Sequence, residues 1–310
     1  MPLRRGPTRL AIVGPGKIAR DQHVPAIAAN ADFDLVAVAG PDDGGLGVTH
    51  YPTLAALIAA GGVDAVAICT PPAVRHVLAR EAIAAGLHVL LEKPPAATLA
   101  EGQDLIARAE AAGVTAFAAW HSREAAGVAD ARAWLANRRI DRVAIVWKED
   151  IRRWHPGQEW ILGPGGFGVF DPAINALSIL TAIVPGAVMV RSAAMTIPEN
   201  RAAPIAATIA MELANGAPVT ADLDFLQTGP QTWTITVDTD GGRLVLIDGG
   251  ARWTIDGVER TGKDREYPGL YARFAALKAA GASDVDLGPL QLVADSYLVA
   301  DVRRGAAFAF

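Results

Sequence analysis

Between residues 8 and 122 the chain repeats one arrangement: a short apolar run, a stretch with apolar residues at helical spacing, then another apolar run. The runs are Leu10–Val13, Leu35–Ala39, Ala65–Thr70 and His88–Leu91, with Val114–Ala119 as a fifth candidate. Segments such as Leu54–Ala60 and Val74–Ala85 stand between them. A strand that is apolar at every position has no face for water, so helices must cover both sides of its sheet. Parallel pairing also needs a crossover, and a helix is the usual one. The alternation therefore predicts a doubly wound parallel sheet.

The first run ends in Gly14-Pro15-Gly16-Lys17-Ile18-Ala19, and a helical stretch begins near Lys17. In a strand–turn–helix the first Gly permits the tight turn and the second lets a ligand approach the backbone. A small third residue, here Ala19, lets helix pack on strand. The helix start offers N–H groups and a partial positive charge to phosphates. The loop reads as the pyrophosphate site of a dinucleotide, with Gly14, Gly16, Lys17 and Ile18 as cofactor-binding residues. An ordinary Gly-rich turn is the alternative, and the flanking strand and helix favour the site. After the second run the chain reads Val38-Ala39-Gly40-Pro41-Asp42-Asp43. A carboxylate there accepts the ribose 2′-hydroxyl and repels a 2′-phosphate, and no Arg or Lys stands nearby to hold that phosphate. Asp42 thus points to NAD, with NADP as the alternative cofactor. Solvation of a loop by Asp42 and Asp43 is an equal reading.

After about residue 123 the pattern changes. Residues 125–138 read as a helix and Val143–Asp150 as a strand, and Asp171–Val184 opens on Asp-Pro, a good helix start. Extended runs follow at Pro204–Leu213, Pro218–Phe225, Trp233–Asp238, Arg243–Ile247 and Arg252–Ile255. Asn215-Gly216, Asp240-Gly241-Gly242 and Asp248-Gly249-Gly250 separate several of them, as in a mostly antiparallel meander. Leu270–Ala280 and Pro289–Arg303 read as helices. With 310 residues, two domains are expected. They are a Rossmann domain over 1–122 and an α+β domain over 123–310, with a large open, mostly antiparallel sheet. The last helix is a candidate to pack back on the first domain.

A net charge of −5 argues against nucleic acid, which needs clustered Lys and Arg. Arg4-Arg5 and Arg152-Arg153 are the tightest basic groups, and both are too short to form a patch. The single cysteine, Cys69, permits neither an internal disulfide nor a Cys-based metal site. The six His residues show no metal-ligand spacing, so no metal is expected. No stretch approaches the length of a membrane span, and the N-terminal apolar run is too short for a signal segment. A soluble, cytoplasmic protein is expected, without membrane or nucleic-acid partners.

At Glu92-Lys93-Pro94, after the fourth run, the chain resembles the glucose–fructose oxidoreductase / inositol dehydrogenase family. The resemblance spans nearly the whole length. It rests on the loop Gly14–Ala19, on Cys69-Thr70-Pro71-Pro72, on Glu92-Lys93-Pro94, and on Gly165-Gly166 followed by Asp171 and Asn175. Trp120-His121-Ser122, Trp147-Lys148-Glu149-Asp150, Arg153-Trp154-His155-Pro156-Gly157, Phe170-Asp171-Pro172 and Asn175–Leu180 are similar to the branch of bacterial aldose 1-dehydrogenases acting on L-arabinose or D-galactose. The resemblance implies that Thr70, Pro71, Glu92 and Lys93 also contact the cofactor. Two positions depart from the family. Many members carry a catalytic His where this chain has Asn175. The arabinose enzymes that accept NADP carry Ser-Arg where it has Gly40-Pro41, which supports NAD.

Oxidation of a sugar hemiacetal needs a base for the anomeric hydroxyl proton and an acceptor for the C1 hydride, which the cofactor supplies. Lys93 follows an apolar strand and would project at the carboxyl end of the sheet. The resemblance implies that it binds the sugar hydroxyl and lowers its pKa, while a surface Lys beside a turn is the plainer reading. Asp171 and Asn175 stand four apart at a helix start and share a face. By resemblance Asp171 is the proton acceptor and Asn175 orients the hydroxyl; alternatively Asp171 is only an N-cap. His121 is a further candidate ligand or base, or a structural histidine. Glu149, at a strand end, is expected to take two sugar hydroxyls unless it is merely solvated. Trp154 and Trp233 are candidate stacking platforms for a sugar face, with core packing as the alternative. The expected activity is NAD(P)-dependent aldose 1-dehydrogenation of L-arabinose or D-galactose to the lactone, by a monomer or homodimer acting on a free monosaccharide. The alternatives are another sugar or polyol dehydrogenase of the family, on inositol or xylose, or a non-catalytic NAD-binding regulator.

Overall fold

The computed structural model describes residues 6–310, so the Arg4-Arg5 pair lies outside the described residues. The chain divides into two compact units. One runs to His121 and takes in Tyr267–Leu287; the other is Ser122–Glu266 with Gly288–Phe310.

The first unit begins β1 (Thr8–Val13), α1 (Val24–Ala28), β2 (Phe33–Ala39), β3 (Thr49–Tyr51) and α2 (Leu54–Ala60). It continues β4 (Ala65–Ile68), α3 (Pro72–Ala84), β5 (His88–Glu92), α4 (Leu99–Ala112) and β6 (Ala116–Ala119). All pairs are parallel, in the order β3-β2-β1-β4-β5-β6. Every residue of β4 and β6 is buried, as fully apolar runs require. The strand order reverses between β1 and β4, and in open α/β sheets ligands bind beyond the carboxyl ends of the strands at such a reversal. The helix after β1 starts at Lys17, loosens into one π-type turn over Ala19–His23, and resumes as α1. Pro72 opens α3 at its first position, where its missing N–H leaves no bond unmade. Thr98 and Glu101 form a capping box at the start of α4.

The second unit holds α5 (Val128–Leu135), β7 (Ile140–Lys148), α6 (Ile151–Trp154), α7 (Phe170–Ile183), β8 (Val188–Pro198), β9 (Ala206–Leu213) and β10 (Pro218–Asp224). Then come β11 (Thr232–Thr239), β12 (Gly242–Ile247), β13 (Arg252–Ile255) and β14 (Val258–Thr261). The chain ends with α8 (Glu266–Ala280), α9 (Gly288–Leu298) and β15 (Ala300–Gly305). Nine strands pair in the order β14-β13-β12-β11-β7-β10-β9-β8-β15. Only β7–β10 and β8–β15 are parallel; the other pairs are antiparallel. β9 and β10 alternate buried and outward residues, so one face is core and the other carries Thr208, Ala210, Thr220 and Asp222. On the core side α7 lies between β7, α5 and α9, and it is buried nearly all round.

Two expectations need correction. The helix that returns to the first unit is not the last one. Tyr267, Leu270, Tyr271, Phe274 and Leu277 on α8 are buried there among Phe33, Phe117 and Leu90, while α9 packs on α7 and β8. Burying Leu270, Phe274 and Leu277 contributes about 1.5–3 kcal/mol each, so α8 is part of the first core. The segment Pro289–Arg303 is likewise not one helix: α9 stops at Leu298, and Ala300–Gly305 pairs in parallel with β8. Strands β3, β8, β14 and β15 have no counterpart among the runs that the sequence pattern marks as extended.

Candidate active site

In the first unit the loop after β1 is shaped by Gly14. Its φ is +82°, and a Cβ there would lie 2.8 Å from Thr70 Cγ2 and 3.2 Å from Thr70 N. Only glycine meets both demands. Gly16 differs: its φ is ordinary, and a Cβ would project into open space. The protein itself gives no reason for a glycine there, whereas a phosphate lying against the backbone of a helix start does. Thr70 Oγ1, across from Gly14, is buried without a hydrogen-bond partner. The cradle therefore fits a dinucleotide phosphate. Arg20 Nη1 donates to Pro15 O at 2.8 Å and steadies the loop from the helix side. The Lys17 ammonium pairs with Asp21 one turn on. Ile18 is partly exposed beside it.

Beyond β2, Asp42 Oδ1 accepts the Gly44 N–H and Asp43 Oδ1 the Gly45 N–H, each at 2.9 Å. Both carboxylates are exposed, and each also shapes the turn. Pro71 precedes α3, and buried Arg75 on that helix donates to Thr70 O, Glu92 O and Pro94 O. One guanidinium thus ties together the loops that follow β4 and β5. Lys93 sits half-buried just past β5, and its peptide bond to Pro94 is cis.

The Glu92 side chain, expected at the cofactor, is engaged within the protein. It is only 3% exposed, and both oxygens turn inward. Oε1 accepts from Tyr267 Oη at 2.8 Å and from His23 Nε2 at 3.0 Å, and Oε2 accepts the Lys93 N–H at 2.8 Å. His23 Nδ1 reaches Tyr271 Oη at 2.8 Å. Burial opposes ionisation of Glu92, but the hydrogen bond and charge of His23, with His121 and Lys93, hold its carboxyl well below the usual range. Burial also opposes a charge on His23, yet Cys69, Tyr271 and the Glu92 carboxylate raise its pKa well above the ordinary histidine value. Burial pushes the Tyr271 hydroxyl up to about 12. His121, on the turn after β6, stacks on Tyr267 with centroids 5.2 Å apart and planes at 19°. The sequence pattern does not single out His23, Tyr267 or Tyr271; its only hint is the i, i+4 spacing of the two tyrosines.

In the second unit the loop into α7 is fixed by Gly168, at φ +56°, where a Cβ would meet Pro204 O at 2.2 Å. Helix α7 begins at Phe170 with Val169 as its N-cap, so Asp171 is inside the helix and the N-cap reading is set aside. Asp171 is 5% exposed. One turn on, the Asn175 Oδ1 is buried without a hydrogen-bond partner. Four residues apart, the two share a helix face.

Glu149 lies between β7 and α6, 2% exposed. Its Oε1 meets His155 Nε2 at 3.2 Å and its Oε2 accepts the Trp233 indole N–H at 2.9 Å. Each oxygen of the carboxylate expected to take sugar hydroxyls thus already holds one neighbouring side chain. Trp233 stands opposite Trp147 in the β7–β11 register and stacks on it at 5.8 Å and 18°. Trp154 leans on Trp233 at 4.9 Å and 50°. The indoles form one aromatic wall, and Trp154 and Trp233 are its half-exposed members.

Among the described residues, no group of three or more His, Cys, Asp or Glu is placed to hold a metal ion, and no helix is long and apolar enough to cross a membrane.

Residues 8–120 match the family model of the GFO/IDH/MocA oxidoreductases, described as an oxidoreductase family with an NAD-binding Rossmann fold. The chain is 46% identical over 295 residues to the galactose 1-dehydrogenase of Pseudomonas fluorescens, covering 94% of this chain and 96% of that one. It is 50% identical to the crystal structure of a D-galactose-1-dehydrogenase protein from Rhizobium etli, with a TM-score of 0.95 over 99% of each chain. The WlbA dehydrogenase of Bordetella pertussis, solved with NADH and UDP-GlcNAcA, shares the fold at a TM-score of 0.82 with 22% identity over 96% of each chain. The parallel sheet, the Gly14–Gly16 cradle and these whole-length similarities agree: the chain belongs to the GFO/IDH/MocA family of oxidoreductases, with an NAD-binding Rossmann fold.

Proposed function

We propose that this chain is an aldose 1-dehydrogenase that uses NAD to oxidise D-galactose, and L-arabinose with it, at C1 to the lactone. The observation that carries the reading is the pair on α7: a buried carboxylate at Asp171 and, one turn on, a buried amide oxygen at Asn175 without a partner. They occur in a chain that shares about half its residues with a D-galactose-1-dehydrogenase protein.

NAD held at the Gly14–Gly16 cradle would supply the acceptor for the C1 hydride. Asp171 accepts the anomeric hydroxyl proton, and the Asn175 amide N–H steadies the oxygen left behind while its Oδ1 accepts a neighbouring hydroxyl. The family resemblance assigns Lys93 to lowering the pKa of the sugar hydroxyl, and His121 is the second candidate for the proton. Trp154 and Trp233 offer indole faces to the apolar C–H face of the ring, and Glu149 holds Trp233 in place. Galactose and arabinose share configuration at carbons 2, 3 and 4 in their ring forms. They differ by one hydroxymethyl group, which a site that leaves that position untouched discriminates poorly. The reading has the enzyme act on free monosaccharide in the cytoplasm, as a monomer or homodimer.

The test is NADH and NADPH absorbance with a panel of aldoses, inositol and xylose. Turnover of galactose with Asp171→Ala lowering kcat by roughly 10²–10⁴-fold, cofactor affinity unchanged, supports the reading. Reduction of cofactor by inositol or xylose alone moves the chain elsewhere in the family. Cofactor binding with no turnover of any sugar makes it a regulator.

A further inference from the structure

The roles given to Lys93 and His121 require both side chains to be held still, yet Lys93 lies on a loop past β5 and His121 on a single turn past β6. Behind both lies a buried polar network that no step of the reaction uses. The residue before Lys93 is fixed at each of its polar ends. The Glu92 carbonyl accepts from Arg75 Nη1 at 2.6 Å, and its carboxylate accepts from Tyr267 and His23 on Oε1 and from the Lys93 N–H on Oε2. Tyr267 also places its ring flat against His121, at 5.2 Å. One side chain therefore touches both candidate catalytic elements, through its hydroxyl on one side and its ring on the other.

A network of this kind is a poor device for stability alone. Burying an ion pair carries a desolvation penalty that well-packed apolar residues of the same volume avoid. Buried polar side chains that hold one another, as Glu92, His23, Tyr267 and Tyr271 do, nevertheless fix one arrangement of the groups around them. We infer that Tyr267 is a positioning residue, acting through Glu92 on Lys93 and through ring stacking on His121. The catalytic meaning rests on the proposed function, whereas the placement of Lys93 does not.

The variants are Tyr267→Phe, which removes the hydroxyl and keeps the ring on His121, Tyr267→Leu, which removes both, and Glu92→Gln. The first readout needs no substrate: the rate of reductive methylation of Lys93, followed by mass spectrometry against Lys17 and Lys278 in the same molecule. Lys93 labelling is expected to change several-fold in Glu92→Gln and Tyr267→Phe, with the reference lysines unaltered. The second readout is kinetic. Loss of a hydrogen bond to a charged group predicts a kcat roughly tenfold lower in Tyr267→Phe and lower still in Tyr267→Leu, with the Kd for NAD unchanged. Lys93 labelling at the wild-type rate in both Tyr267→Phe and Glu92→Gln, with only Tm lowered, overturns the inference and leaves the network structural. If the wild-type protein oxidises no sugar, the functional reading fails while the labelling rates still decide this one.

Discussion

The Trp233 indole N–H donates to Glu149 Oε2 across 2.9 Å, so a buried carboxylate after β7 sets the angle of a half-exposed tryptophan on β11. The other oxygen of the same carboxylate holds His155. If this wall receives the sugar, Glu149→Gln acts on substrate affinity first. The amide retains the shape but offers one acceptor oxygen where two are needed. A hydrogen bond to a charged group is worth about 1.5–3 kcal/mol, so the KM for galactose rises roughly tenfold or more. The Kd for NAD stays at its wild-type value. A KM within about twofold of wild type would show that Trp233 needs no such anchor.

Gly14 and Gly16 separate fold from cofactor. Gly14→Ala meets a positive φ and a contact with Thr70 closer than real Cβ atoms show, so the variant is destabilised with or without NAD. Gly16→Ala meets neither, because its Cβ enters open space at an ordinary φ. Its Tm in the absence of NAD is expected to match wild type, while the Kd for NAD rises by roughly an order of magnitude as the methyl crowds the phosphate. Thermal shift with and without NAD reads both effects. Equal NAD stabilisation of wild type and Gly16→Ala would place the pyrophosphate elsewhere.

The His23–Glu92 pair makes stability depend on pH in a definite direction. His23 has a raised pKa in the fold, so its contribution is complete below the unfolded value near 6.5 and is lost as pH rises through the folded value. Glu92 is depressed, so its contribution is complete above the unfolded value near 4.5 and is lost as pH falls through the folded value. Both are fully present between those two unfolded values. Tm is therefore expected to decline as pH rises above about 6.5, and His23→Gln is expected to flatten that alkaline decline. A wild-type Tm that stays level on the alkaline side would mean that His23 is neutral in the fold.

The legible parts of this chain are those where one physical constraint acts on neighbouring residues. Leu10–Val13 and Ala65–Ile68 are strands buried on both faces, so each is an unbroken apolar run. The Gly14 loop is legible because its turn, its glycine and its helix start are contiguous. Strand β3, Thr49–Tyr51, exists by backbone pairing with β2 at the sheet edge and has no apolar run to announce it. Strand β15 is mostly exposed and follows α9 almost at once, so its residues read as more helix. The network around Glu92 is hidden for another reason. Its tyrosine donor comes from 175 residues away, on a helix that the chain returns to the first unit only after building most of the second. Glu149 is legible as a carboxylate at a strand end, but what it holds depends on Trp233, 84 residues further on.

If the adenosine ribose lies past β2, Asp42 decides between NAD and NADP. Its carboxylate stands exposed past β2, in a loop from Gly40 to Gly47 that contains no Lys or Arg. A 2′-phosphate there would face two like charges, Asp42 and Asp43, with no cation in the loop to compensate. Asp42→Arg reverses the nearest charge and supplies a bidentate phosphate donor. It also removes the acceptor for the Gly44 N–H, which weakens the turn. The double variant Asp42→Arg with Asp43→Asn keeps a cap on the neighbouring Gly45 N–H. The ratio of kcat/KM with NADP to that with NAD is expected to rise by roughly two orders of magnitude, through KM and not kcat, since the ribose is remote from the hydride. Steady-state kinetics at fixed ionic strength measures it. An unchanged ratio would mean that neither carboxylate faces the ribose, and that both serve only the turn they cap.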